Sequence, residues 1–296
     1  MKPFAIAGMQ LDLSAVHENV TTMGRKLEVL MSVYPWVQMV VFSELAAYGP
    51  LVSNAQHLPN ATEDTFREWA RKYGIWLLPG SMFELADGKI YNTATVIDPD
   101  GNIVGRYRKL FPFRPYEGAV EAGTEFLVWD IPDVGRFAIS ICYDLWFPET
   151  ARTVAAMGAE VILHPTLTGT IDRDVELAIV RATAAQNQCF VFGINGFGDC
   201  GNGRSIIAGP AGEVLYEGQS AQEVIPFEID MERVRRSREV GLRGLGQQLK
   251  SFRERLVDFA VYSDEGRHWP YLHSLGPLAK PDRGSHAGIQ PKDLGP

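Results

Sequence analysis

The chain has few cysteines, no long apolar run and no excess of positive charge. Its 296 residues include three widely spaced cysteines, Cys142, Cys189 and Cys200, with no Cys-x-x-Cys or His-x-x-x-His. We therefore expect neither a disulfide framework nor a zinc site. The same pattern favours a reducing compartment, and we expect the protein to be cytoplasmic. No stretch reaches transmembrane length, and the N-terminus runs straight into a strand-like segment without a signal-peptide core. A formal net charge of −8 argues against nucleic acid or membrane as a partner.

The composition, with 46% hydrophobic and 22% charged residues, is that of a globular protein. Strand-like runs alternate with helical periodicity early and late in the chain, with hairpins between them, which predicts an α/β protein with a mixed sheet and more than one layer. Residues 75 to 85 read as one strand, and Asp98–Gly101 as a turn. We predict one domain over residues 1–270. Residues 271–296, rich in glycine and proline, are predicted to be a tail that is mobile or packed on a neighbouring subunit.

Cys142 stands at a strand-to-helix turn. The apolar run that ends at Cys142 has the alternating β-prone residues of a buried strand, and Pro148 with Glu149 suits the first turn of a helix. A cysteine there lies near free backbone N–H groups, which favour a thiolate and a developing oxyanion. A lone cysteine on a strand is otherwise a small apolar core residue. The interpretation as a nucleophile therefore depends on other segments.

Two such segments supply a carboxylate and a lysine. Met39–Phe42 is an apolar run that is followed closely by Glu44, and Lys109 follows a second strand-like run. Taken alone, each fits an ordinary surface charge. Together with Cys142 they resemble the Glu-Lys-Cys triad of the nitrilase superfamily of carbon–nitrogen hydrolases, in the same chain order. The resemblance covers roughly residues 4 to 230 and is most specific around Ile141-Cys142-Tyr143-Asp144 and Phe147-Pro148-Glu149.

The resemblance implies a four-layer α-β-β-α sandwich that forms a homodimer or higher homo-oligomer, and a reaction without metal or organic cofactor. It implies that Cys142 is the nucleophile, Glu44 the general base and Lys109 the cation that stabilises the oxyanion. Glu117, in Pro-Tyr-Glu-Gly, resembles the second glutamate of the amidase branches. Its other interpretation is an exposed turn acid.

Several residues beside these motifs are candidates for the substrate pocket. They are Tyr48, Tyr143, Trp146, His164 and Thr166. His164 also suggests a Cys-His hydrolase, but a buried histidine satisfied by backbone is the more usual role, and Glu44 and Lys109 would then have no function. The Phe111–Tyr116 loop with Trp146 suggests a compact, partly aromatic pocket and hence a small substrate.

The leading prediction is an amidase that cleaves a small amide, and the cysteine motif resembles amidase branches more than true nitrilases. Nitrile hydrolysis and N-carbamoyl hydrolysis are alternatives. The second of these requires a pocket cation, for which Arg114 and Arg173 are candidates although both read as surface charges. Acyl transfer to another acceptor, or a non-catalytic binding role on the same fold, are further alternatives.

Overall fold

The computed structural model describes residues 3–281 and arranges their strands in two sheets. The strands are β1 (Phe4–Gln10), β2 (Met39–Phe42), β3 (Trp76–Leu78), β4 (Ser81–Ala86), β5 (Lys89–Ile97), β6 (Ile103–Arg108), β7 (Val120–Glu121), β8 (Val128–Ile131), β9 (Gly135–Ile139), β10 (Val161–Thr166), β11 (Phe190–Asn195), β12 (Ile206–Ala208), β13 (Val214–Glu217) and β14 (Glu223–Ile229). The helices are α1 (Val20–Val33), α2 (Ala61–Tyr73), α3 (Pro148–Ala156), α4 (Arg173–Asn187), α5 (Glu232–Val240), α6 (Gln248–Arg253) and α7 (Pro270–Ser274).

Each sheet has parallel strands at its centre. The first sheet has the order β14-β1-β2-β3-β5-β4, with β6 and β7 also paired to β5, and the second has the order β13-β12-β11-β10-β9-β8. Pairing is parallel between β1, β2 and β3, and between β9, β10 and β11. Every residue of β1, β2, β10 and β11 is buried, as expected for strands covered on both faces.

The two sheets face each other across one apolar core, and helices cover their outer faces. Phe4 of the first sheet and Phe137 of the second meet edge to face, with ring centroids 5.6 Å apart. On the outer side of the first sheet, α1 and α2 contribute residues such as Leu27 to a second apolar cluster. On the outer side of the second sheet, α3 and α4 contribute residues such as Val180 to a third. The predicted α-β-β-α sandwich is confirmed.

The segment predicted as one strand over residues 75 to 85 is two strands, β3 and β4. Pro79 and Gly80 separate them, and Gly80 has a φ of +79°, which ends the extended conformation. A Cβ on Gly80 would lie 1.9 Å from the carbonyl oxygen of Ser43. Only glycine therefore allows this turn to pack against the segment that follows β2. The predicted turn over Asp98–Gly101 is confirmed, because Gly101 N–H donates to the carbonyl oxygen of Asp98 at 2.9 Å.

The predicted tail begins within α7, and its residues up to 281 are exposed. The Nζ of Lys280 lies 4.6 Å from the centroid of the Tyr116 ring. Residues 282–296 lie outside the described part of the chain, so the mobility or intersubunit packing of the tail stays a prediction.

Gly80→Ala tests the close approach that shapes the segment before Glu44. We expect it to lower the free energy of unfolding by about 3 kcal/mol or more, because the backbone strain is joined by a clash with Ser43. Gly88→Ala is the matched control, since Gly88 has a φ of +73° and open space around its Cβ position. That variant should lose only about 1–2 kcal/mol. Equal losses in urea unfolding would contradict the steric argument.

Candidate active site

Cys142 begins a tight turn between β9 and α3. Residues Cys142–Trp146 form a short 3-10 helix, and Pro148 then opens α3. The backbone of Cys142 has a φ of +46°, in the left-handed region, which costs a side-chain-bearing residue about 1–3 kcal/mol. The surrounding packing maintains this conformation, and only 9% of the residue is exposed. The turn thus holds the thiol at one place near the carboxyl end of β9.

Glu44, Lys109 and Glu117 form a buried charge cluster. The Nζ of Lys109 lies 2.8 Å from Oε1 of Glu44 and 2.9 Å from Oε2 of Glu117, and the lysine is 1% exposed. The Nδ2 of Asn92 donates to the same oxygen of Glu44 at 2.8 Å, and the N–H of Phe113 donates to Glu117. One ammonium is therefore held between two carboxylates, each fixed by a further donor.

The charges in this cluster shift the pKa values of Glu44 and Lys109. Burial raises the pKa of Glu44 above its usual value, the charge of Lys109 opposes that rise, and the charge of Glu117 adds to it. For Lys109, burial alone would lower the pKa, but the charges of Glu44, Cys142 and Glu117 outweigh burial and raise it. The lysine therefore stays protonated at neutral pH, while Glu44 has an increased proton affinity.

The thiol is neutral in the resting protein. Burial raises the pKa of Cys142 well above its usual value, and the negative charge of Glu44 raises it further, against the opposing charge of Lys109. The side chains of Glu44 and Cys142 interact directly. A neutral thiol beside a carboxylate with increased proton affinity is an arrangement for moving a proton between them as the sulfur attacks.

Asp144 joins the cysteine turn to the lysine segment. Its Oδ2 accepts hydrogen bonds from Tyr107 Oη at 2.7 Å and from Ile141 N at 2.9 Å, and its Oδ1 accepts one from Phe111 N at 2.7 Å. Burial raises the pKa of Asp144 to about 6 against these donors, so it is ionised at neutral pH. This one carboxylate fixes residues on both sides of Lys109 relative to Cys142.

An aromatic group lies beside the turn. The Tyr143 ring packs edge to face on Phe113 and Phe147, with centroids 5.0 and 5.2 Å away, and its centroid is 6.0 Å from that of Trp146. Phe113 also stacks on Tyr116. Two of the predicted pocket residues, Tyr143 and Trp146, thus belong to an aromatic surface next to Cys142.

The other three predicted pocket residues differ in their surroundings. His164 is buried with Nδ1 3.3 Å from the carbonyl oxygen of Ser140, and burial lowers its pKa to about 3, so the ring is neutral. Thr166 is buried, and its carbonyl oxygen accepts the N–H of Glu44 at 3.2 Å. Tyr48 packs with the α1 and α2 layer, where its hydroxyl lies 2.5 Å from Oγ1 of Thr62.

The two candidate pocket cations have opposite environments. Arg114 is exposed, as the sequence predicts, and its Nη2 donates to the carbonyl oxygen of Val120. The prediction that Arg173 is a surface charge is wrong. It is 2% exposed and is paired with Glu176, because both lie in the first turn of α4, which packs on the second sheet.

Sequence reasoning missed the roles of Asn92, Asp144 and Glu176. Asn92 lies within β5 and has no motif around it. Asp144 stands two residues after Cys142, and this proximity is a usable signal. Glu176 is one of several acids in a helical pattern, and nothing in the sequence distinguishes it from them.

The remaining cysteines lie apart from the site. Cys189 and Cys200 are buried and free, and belong to the clusters on the outer faces of the second and first sheets respectively. Burial raises the pKa of Cys189 to about 12 and that of Cys200 to about 11. Within residues 3–281, no helix combines the length and the apolar character that crossing a membrane requires.

Among curated proteins, the chain is 29% identical to 2-oxoglutaramate amidase of Bacillus subtilis, over 66% of this chain and 78% of that protein. It is 26% identical to the omega-amidase NIT2 of Homo sapiens, over 87% of this chain and 97% of that protein. A shorter match reaches 41% identity with a citrullinase of Francisella tularensis, over 34% of this chain and 36% of that protein.

Solved structures share the fold. Nit3 of Saccharomyces cerevisiae, described as a member of branch 10 of the nitrilase superfamily, aligns with a TM-score of 0.74 and 25% identity, over 80% of this chain and 94% of that one. A carbon-nitrogen hydrolase of Helicobacter pylori aligns with a TM-score of 0.74 and 25% identity, over 87% and 96%. The carbon-nitrogen hydrolase family model matches residues 5–239. The resemblance in the motifs is thereby confirmed, and the chain is an enzyme of the carbon–nitrogen hydrolase family.

Proposed function

We propose that this enzyme hydrolyses the C–N bond of a small amide through a thioester on Cys142, releasing ammonia and a carboxylate. The observation that carries the proposal is a buried thiol beside Glu44, with the ammonium of Lys109 2.8 Å from the same carboxylate. An amide carbon is a weak electrophile, so a nucleophile, a proton acceptor and an oxyanion donor are needed together.

In the first half of the reaction, Glu44 takes the thiol proton as the Cys142 sulfur bonds to the carbonyl carbon. The negative charge that develops on the carbonyl oxygen is stabilised by Lys109 and by the backbone N–H of Tyr143. Glu44 then gives its proton to the departing nitrogen, the C–N bond breaks, and ammonia leaves behind a thioester.

In the second half, Glu44 takes a proton from water as the water oxygen attacks the thioester carbon. Collapse of this intermediate breaks the C–S bond, and the sulfur regains a proton. Glu44 is thus protonated and deprotonated in each half. Glu117 matters here, because Lys109 keeps one carboxylate partner at 2.9 Å while Glu44 is neutral.

The relatives support an amide as the substrate class, since two of those described above are named as amidases. The aromatic surface formed by Tyr143, Trp146 and Phe113 supports a small, partly apolar acyl group. N-carbamoyl hydrolysis is the second candidate, because citrullinase is also a relative. Assembly into a homo-oligomer and a cytoplasmic location stay predictions.

Ammonia release from small amides, carbamoyl compounds and nitriles tests the function. We expect Cys142→Ala to abolish turnover of amides, and Cys189→Ala, the matched buried thiol, to retain it. Glu44→Gln should lose roughly 10²–10⁴-fold in kcat and Lys109→Met roughly 10²–10³-fold. Amide turnover that survives in Cys142→Ala would refute the thiol mechanism. If nitriles or carbamoyl compounds react faster than amides, the enzyme is a nitrilase or an N-carbamoyl hydrolase instead. Acyl transfer to added hydroxylamine would identify a transferase.

The pH dependence of kcat/KM tests the role of Glu44 as base. Because its pKa is raised above the ordinary 4.5, we expect activity to fall on the acid side at a pH above that value. Glu117→Gln removes a negative charge that raises the pKa of Glu44, so the acid limb should move to lower pH. Glu121→Gln, an exposed acid on β7, is the control and should leave the limb unchanged. A shift toward higher pH in Glu117→Gln would contradict this electrostatic coupling.

Asp144→Asn tests the link between the two catalytic segments. The amide offers one oxygen where the carboxylate accepts three hydrogen bonds, so we expect a loss of about 1–3 kcal/mol in the free energy of unfolding. A fall in kcat should accompany it in the folded variant, because Lys109 and Cys142 lose their common anchor. Asp130→Asn, in an exposed ion pair with Arg136, should change neither quantity substantially. Full activity in Asp144→Asn would show that the anchor is dispensable.

A further inference from the structure

Arg173 and Glu176 form an ion pair inside the protein, where stability alone does not explain its presence. They are 2% and 5% exposed, and Nη1 of Arg173 lies 2.9 Å from Oε2 of Glu176. The Nε of Arg173 is buried without a hydrogen-bond partner among the described residues. A buried ion pair seldom adds net stability, and an unsatisfied buried donor lowers it further. This combination points to a role other than stabilising the fold.

Hydrogen bonds connect the pair to the segment that follows β10. Oγ1 of Thr168 donates to Oε1 of Glu176 at 2.9 Å. The backbone N–H of Thr168 and Oγ1 of Thr166 both donate to Oδ1 of Asn195, at 2.9 and 3.2 Å. The carbonyl oxygen of Thr166 in turn accepts the N–H of Glu44 at 3.2 Å. A continuous buried chain of contacts therefore runs from α4 to the backbone of the candidate base.

The guanidinium of Arg173 also binds a second backbone segment, on the other side of residues 166–168. Nη2 of Arg173 donates to the carbonyl oxygen of Arg204 at 2.7 Å, on the segment that leads into β12. Between these anchors lies Leu167, whose backbone interacts with the Cys142 sulfur and favours the thiolate. Displacing the Arg173–Glu176 pair would thus move a backbone segment that touches the nucleophile.

The charged groups that act on the sulfur come from three segments of the fold. Glu44 follows β2, Lys109 follows β6 and Glu176 lies on α4, and each acts on Cys142 through its charge. His164 on β10 is neutral, because its pKa is lowered to about 3 by burial and then by the charge of Arg173. Glu176 thus acts against formation of the thiolate, and its own partner Arg173 is the cation that compensates for it.

We propose that Arg173 and Glu176 are positioning residues for Cys142, which anchor residues 166–168 beside the sulfur and keep the charge of Glu176 neutralised there. The inference rests on the proposed function in that it takes Cys142 as the nucleophile. Neither residue touches the reacting atoms. Their effect is carried by the backbone of residues 166–168 and by the electrostatic field at the thiol.

Alkylation of Cys142 by iodoacetate, which has no amide bond, across a pH series, followed by mass mapping of the Cys142 peptide, measures thiolate formation without any amide substrate. We expect Arg173→Gln to move the midpoint to higher pH by roughly one unit, since it leaves Glu176 uncompensated. Glu176→Gln should move it to lower pH, since it removes a negative charge. The double variant Arg173→Gln/Glu176→Gln should lie between the two. Opposite signs are the decisive result, because simple loosening of the fold would move both single variants in one direction.

Glu63→Gln is the matched control, because Glu63 is 1% exposed and paired with Arg106 but belongs to α2, away from the sulfur. It should alter stability without moving the alkylation midpoint. If Arg173→Gln does not fold, two other comparisons test the proposal. Arg173→Lys, which keeps the charge, should have an alkylation midpoint near that of the native protein. The double variant should have its alkylation midpoint at a higher pH than Glu176→Gln alone. Shifts of the same sign, no shifts, or an equal shift in Glu63→Gln would overturn the proposal. Native protein that releases ammonia while Cys142→Ala does so equally would instead refute the proposed function.

Discussion

The burial of one ammonium between two carboxylates is the constraint on which the site depends. A lysine that is 1% exposed requires opposite charges at hydrogen-bond distance, and Glu44 and Glu117 supply them at 2.8 and 2.9 Å. Those acids arrive from different parts of the chain, so the loops after β2 and β6 must keep their relative positions. Asn92 and the backbone of Phe113 hold the carboxylates in turn. The geometry of the site is thus fixed by the attraction between buried opposite charges and by the hydrogen bonds that hold each carboxylate.

The sandwich provides the buried environment in which such a charge cluster forms. The central parallel strands of both sheets are buried on both faces, and they bring β2, β9 and β10 to a common edge. The contact between Glu44 N–H and the Thr166 carbonyl oxygen joins the two sheets at that edge. Because the candidate catalytic side chains follow strand ends, they lie on short segments attached to rigid elements. The strained backbone of Cys142 is tolerated for the same reason.

Burial and the neighbouring charges together determine the protonation of Cys142, Glu44 and Lys109. Burial disfavours the thiolate and favours a protonated Glu44, while Lys109 remains charged. In the proposed mechanism, the neutral thiol reacts only when a carbonyl group is in place to receive the electron pair. Asp144 and the Arg173–Glu176 pair surround this triad with charges that are held by several hydrogen bonds each. The pKa of the Cys142 thiol therefore depends on several buried charges together.

The sequence by itself determined the class of fold, the family and the three motif residues Glu44, Lys109 and Cys142. Strand-like apolar runs and turn residues are local features, and the motifs are contiguous, so both are readable without knowing distant contacts. Only the tertiary structure decided that Arg173 is buried, that Asn92 holds Glu44 across 48 residues of chain, and that Tyr48 packs in the outer helical layer. Those outcomes depend on which long-range partners meet after the two sheets pack, and burial then decides whether a charged side chain is paired or solvated.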